Sequence, residues 1–127
     1  MKKILLLFAF IGLSFLSYSQ ELYLGKNMDE IKSISNINGI DHFYGRKCLN
    51  SEIDSNTRDI FVFNENNICI EYIRIVKNTD ISDIEQYLHT YYKIREYCYE
   101  DYSSGLIAMV NPLTDNLFQI RIKKNRL

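Results

Sequence analysis

Asp59-Ile60-Phe61-Val62-Phe63, Asn64-Glu65-Asn66-Asn67 and Ile68-Cys69-Ile70-Glu71-Tyr72-Ile73-Arg74-Ile75-Val76 follow one another without a break. The first and third segments are rich in β-branched and aromatic residues, and the second is a run of turn formers. This pattern predicts a β-hairpin. In its long arm, Ile68, Ile70 and Tyr72 are expected on one face, with Cys69, Ile73 and Ile75 on the other.

Downstream of the hairpin, Asp80 is placed to cap a helix, with Asp83 in the first turn to meet the helix dipole. Ile81, Ile84, Leu88 and Tyr91 recur at helical spacing, which predicts a helix ending near Tyr91 or Tyr92. Three strands are expected after it. Ile94–Glu100 mixes charged and aromatic residues, and Gly105–Val110 is apolar. Leu117–Lys123 alternates, with Phe118, Ile120 and Ile122 facing one way. Upstream, Asn27 and Glu30 are spaced as a capping box before Met28, Ile31 and Ile34, which predicts a short helix over 27–35. Residues 36–58 are polar and Asn/Gly-rich. They read as a long loop, with Ile40 and Phe43-Tyr44 as anchors in at most a short strand.

The expected fold is therefore α+β. It is a two-layer sandwich in the order α-β-β-α-β-β-β, with a mostly antiparallel sheet of about five strands and two helices on one face. No internal repeat is visible in the sequence, and no low-complexity linker divides it.

The chain has 127 residues and begins Met1-Lys2-Lys3, followed by a nearly continuous apolar run from Ile4 to Leu16 and then Ser17-Tyr18-Ser19. This is the layout of a cleavable secretory signal over 1–19, leaving a single domain over 20–127 that starts at Gln20. The apolar run falls short of the ~20 residues that span a bilayer. A retained membrane anchor is the alternative. The first cysteine is Cys48, so no lipidated N-terminus is expected. The expected location is periplasmic or extracellular.

The formal net charge is −1, and losing Lys2 and Lys3 with the leader would make the remainder more acidic. Such a balance lacks the basic excess of nucleic-acid-binding domains. Cys48, Cys69 and Cys98 are odd in number, so an intramolecular disulfide leaves one thiol over. Both Cys48–Cys98 and Cys69–Cys98 pairings are open on sequence alone. The cysteines and the two histidines, His42 and His89, have no zinc-site spacing, and neither a metal nor any other cofactor is expected.

For catalysis, a nucleophile–base pair could be built from Cys48 and His42, both in the irregular loop, and two unrelated loop residues are the plainer account. The paired acids Asp29/Glu30 and Asp80/Asp83 have simpler roles at helix N-termini, and Glu100/Asp101 falls at a turn. Asp54–Asp59 lacks the Gly and terminal Glu of a calcium loop. No phosphate-binding glycine loop occurs.

Tyrosine is the unusual feature, with ten in the chain and no tryptophan. Tyr92, Arg95, Tyr97, Tyr99 and Tyr102 form the candidate binding surface, since Tyr and Arg are enriched at recognition hot spots. Core packing and strand propensity are the plainer account of the same residues.

Leu24-Gly25-Lys26-Asn27-Met28-Asp29-Glu30-Ile31-Lys32 resembles the opening of small bacterial envelope proteins. These are the outer-membrane assembly lipoproteins of the SmpA/OmlA type and the β-lactamase inhibitor proteins. The resemblance implies a layered fold and an envelope binding module, and it transfers no site residue. The leading expectation is thus a non-catalytic binding module with an envelope or secreted protein partner. A small-ligand carrier with a pocket between helices and sheet, and an unrecognised hydrolase using Cys48 or His42, are the alternatives.

Overall fold

The computed structural model describes residues 23–43 and 45–125. The proposed signal segment and the expected start at Gln20 lie outside them. The five-strand sandwich expected from sequence is wrong. The chain is mostly β, with one eight-stranded antiparallel sheet and two short helices among the described residues.

In chain order the elements are α1 (Met28–Ile34), β1 (Gly39–Phe43), β2 (Arg46–Glu52), β3 (Thr57–Phe63) and β4 (Cys69–Lys77). Then come α2 (Ile81–Tyr87), β5 (Tyr92–Arg95), β6 (Cys98–Asp101), β7 (Leu106–Thr114) and β8 (Leu117–Lys124). The sheet order is β1-β2-β3-β4-β8-β7-β6-β5. Among the described residues, each half is thus one helix followed by a four-stranded meander, and the last strands of the two halves, β4 and β8, pair at the centre. This places a pseudo-twofold axis between them.

The repeat extends to detail. Asn27 caps α1 by accepting from the Glu30 N–H, and Asp80 caps α2 by accepting from the Asp83 N–H. Ile31 and Ile84, both one residue beyond those donors, are both buried. The segment leading into α1 bonds to the β3–β4 turn through Met28 N to Asn67 O at 3.0 Å. The segment leading into α2 bonds to the β7–β8 turn through Thr79 N to Asn116 O at 3.3 Å. A repeat was not visible in the sequence because what recurs is a cap and an isoleucine, embedded in otherwise different side chains.

Two departures take five expected strands to eight. Residues 36–58 contain β1 and β2. Arg46–Glu52 has little apolar alternation, yet Leu49 and Ser51 face the core because β2 is held in register by β3, with Leu49 opposite Phe61 and Ser51 opposite Asp59. Tertiary pairing overrides weak strand propensity here. The segment Ile94–Glu100 is two strands, β5 and β6, reversed at a turn where Tyr97 has φ 63°. A positive φ at a non-glycine residue carries no sequence signal.

α2 stops at Tyr87, short of Tyr91, and residues 88–91 close into turns through Tyr91 N to Leu88 O. A bulge where Val62 opposes Glu71 but Phe63 opposes Cys69 brings Cys69 onto the face of Tyr72, which strict alternation had separated.

Both helices cover the same face. Leu24, Ile31, Ile84 and Leu88 pack there with Phe61, Tyr72, Ala108, Phe118, Ile120 and Ile122 into the main core. Tyr23 stacks on Tyr72, with ring centroids 5.3 Å apart. The opposite face carries a smaller cluster of Cys48, Val62 and Ile73, flanked by Ile60 and Ile75, with no helix residue in it.

Among the described residues no helix is long and apolar enough to cross a membrane.

Candidate functional site

The β5–β6 hairpin lies at one edge of the sheet and carries Tyr92, Arg95, Tyr97 and Tyr99, while Tyr102 lies in the turn from β6 to β7, and the structure divides the five candidates. Tyr92 is 65% exposed and Tyr102 66% exposed, and their rings lie side by side with centroids 5.5 Å apart, tilted by 40°. Ile94 is also exposed, so the outer surface of the hairpin is apolar as well as aromatic. Arg95 is exposed on the same strand. Tyr97 sits at the reversing turn, at the margin of exposure. Tyr99 is only 3% exposed and belongs to the main core, opposite Ala108. It is a packing residue, removed from the surface by the parity of β6.

The two exposed rings come from different segments, and polar contacts hold those segments together. The Thr90 hydroxyl donates to Asp101 Oδ2 at 3.3 Å, two residues before Tyr92. The Ser103 N–H and hydroxyl both donate to Asp101 Oδ1, at 3.1 and 2.7 Å, bracketing Tyr102. Partial burial would raise the Asp101 pKa, but these hydrogen bonds outweigh it and hold the carboxyl below its ordinary value. Gly105, at φ 70°, closes the turn through its N–H to Asp101 O at 2.9 Å. The sequence places Asp101 at a turn and does not single out Ser103, and their part in fixing the ring pair depends on strand register that sequence does not reveal.

β5 itself is short and irregular. Its pairing skips from Lys93 to Arg95, so Ile94 is the extra residue of a bulge. A bulged, lysine- and arginine-bearing edge discourages simple strand addition. What this edge offers to solvent is thus its side chains rather than a free strand ladder.

The other candidates come apart. Cys48 lies opposite Asp41 while His42 lies opposite Lys47, so the cysteine and histidine point to opposite faces of the sheet. Cys48 is also buried. A Cys48–His42 dyad does not form.

All three cysteines are buried thiols. Cys48 on β2 and Cys98 on β6 are five strand spacings apart, roughly 24 Å, far beyond disulfide reach. Cys69 and Cys98 face opposite sides of strands three spacings apart. Neither disulfide read as open from sequence is made. Burial pushes the Cys69 thiol up to about 12, the opposite of an activated nucleophile. No group of His, Cys, Asp and Glu among the described residues is arranged to hold a metal ion.

One charged pair is deep in the fold. Asp59 takes a bidentate grip from Arg74, at 2.8 and 3.0 Å, and the guanidinium lies over the rings of Tyr72 and Tyr87 at 5.9 and 5.3 Å. Burial pulls the Arg74 pKa down, and the Asp59 carboxylate more than reverses this, so the guanidinium stays charged. Its donors are directed at Asp59 and its face at the two rings, which makes this a structural clamp between β3, β4 and α2.

Compared with protein-family models, curated proteins and solved structures, the chain matches none of them.

Proposed function

We propose that this chain is a non-catalytic recognition module of the cell envelope or exported fraction, which engages a protein partner through the β5–β6 hairpin. The adjacent, two-thirds-exposed rings of Tyr92 and Tyr102 carry the reading. Exposed tyrosines give large, amphipathic contact area at low cost in side-chain entropy. Ile94 extends the apolar area and Arg95 adds a charged hot-spot type beside it. The Asp101 hydrogen bonds pre-order both segments, which reduces the entropy lost on association. The separation of Cys48 from His42 favours this reading over the hydrolase alternative.

Cross-linking of the full chain in its native host, followed by identification of the captured proteins, tests the proposal. One partner is expected to be captured reproducibly and lost from the double variant Tyr92→Ser/Tyr102→Ser. Capture that is unaffected by both substitutions would overturn the assignment of the hairpin.

A further inference from the structure

We infer a second binding site, for a long-chain amphipathic carboxylate, in the groove that crosses the sheet at the β3–β4 turn end. The groove has a volume of about 780 Å³ and is lined from Arg46 on β2 to Ile107 and Met109 on β7. Those strands are four spacings apart, roughly 19 Å, so the groove is long relative to its volume and suits a slender ligand. It opens where β8 ends at Lys124 and the lead-in at Gly25 takes over the pairing with β4, through Gly25 N to Cys69 O at 2.8 Å. The groove is therefore a gap in the sheet's own ladder.

Its chemistry is two-sided. Ile70, Ile107 and Met109 are half-buried and give it an apolar lining. Arg46, Lys123 and Lys124 are exposed cations on its walls, and among the described residues none of the three has a carboxylate at ion-pair distance. Glu71 is the acidic residue of the groove, and Arg121 already grips it at 2.5 and 3.2 Å. The walls thus present excess positive charge beside an apolar strip. A neutral lipid would leave that charge unused, and a small inorganic anion would leave the strip wet. A single anionic head on one alkyl chain satisfies both.

The test is a fluorescence titration of the purified full chain with cis-parinaric acid, a long-chain carboxylate that fluoresces when bound. Saturable binding is expected, displaced by palmitate and at least about tenfold less well by the neutral hexadecanol, since a charge-assisted contact is lost. Arg46→Glu and Lys123→Glu alter exposed side chains, and each should weaken binding about tenfold with an unchanged circular dichroism spectrum. Ile70→Ser should weaken it from the apolar side. Tyr92→Ser/Tyr102→Ser should not alter it, which separates this site from the hairpin. Equal displacement by hexadecanol, indifference to both charge reversals, or binding only to phosphatidylglycerol vesicles would each overturn the inference.

Discussion

The two halves of the molecule share a plan and differ in chemistry. Each runs from a capped helix with a buried isoleucine into four antiparallel strands, and each contributes its last strand to the centre of the sheet. In the first half, β3 and β4 place a carboxylate and a guanidinium opposite each other on the helix-covered face, Asp59 against Arg74. On the same face of the second half, β7 and β8 place Val110 against Ile120. The second half keeps its core apolar and puts polar and aromatic character at its edge, where Tyr92 and Tyr102 stand. A repeated backbone plan therefore constrains where side chains point without dictating what they are. Function is free to diverge between halves while the core contacts persist.

The sharpest way to break this comparison is to remove the clamp from the half that has it. Asp59→Ala leaves a largely buried guanidinium without its counter-charge and should cost about 3–5 kcal/mol, read as a lower urea midpoint. The double change Asp59→Leu/Arg74→Met should recover most of that loss, because an apolar pair resembles what the second half already uses. A small loss from Asp59→Ala alone would mean the halves are less different than their chemistry implies.

Next in size are the paired isoleucines. Ile31→Ala and Ile84→Ala should each cost about 2–5 kcal/mol, in a single unfolding transition common to both variants. Two separate transitions in either variant would show that the halves are independently stable and that the shared core couples them little.

The caps sharpen the comparison further. Asn27→Ala should cost about 1 kcal/mol, and Asp80→Ala somewhat more. Only α2 has the reciprocal contact, from the Asp80 N–H back to Asp83, and Asp83 also accepts from the Thr79 hydroxyl. Equal thermal shifts would show that the reciprocal contact contributes nothing. The smallest effect belongs to the edge. Tyr92→Ser and Tyr102→Ser should change stability by less than about 0.5 kcal/mol, since both rings are mostly solvated.

What could be read from sequence follows from where the physical signal is local. Both helix starts were legible because a cap and its partner three residues on are near neighbours, and the β3–β4 hairpin because turn and strand chemistry alternate within a short span. β2 was not legible. Arg46-Lys47-Cys48-Leu49-Asn50-Ser51-Glu52 becomes a strand through bonds to β3, and nothing in its own composition announces them.

The tyrosine cluster was visible as composition, but which rings reach solvent depends on a positive φ at Tyr97 and on the parity it gives to β6. The groove was invisible for a related reason. Arg46, Ile107 and Lys123 are distant in sequence, and only the crossover that sets β8 beside β4 brings them to one groove.

That crossover also sets the order in which the chain can be completed during synthesis. β8 is the last of the described strands in sequence and a central strand in space, bonded to β4 on one side and β7 on the other. Until residues 117–124 have emerged, a nascent chain holds two meanders with nothing to join them, and each ends in a long strand with an unpaired edge. Such edges invite pairing with the wrong chain. A chaperone acting on this protein would therefore matter most in the interval just before β8 arrives.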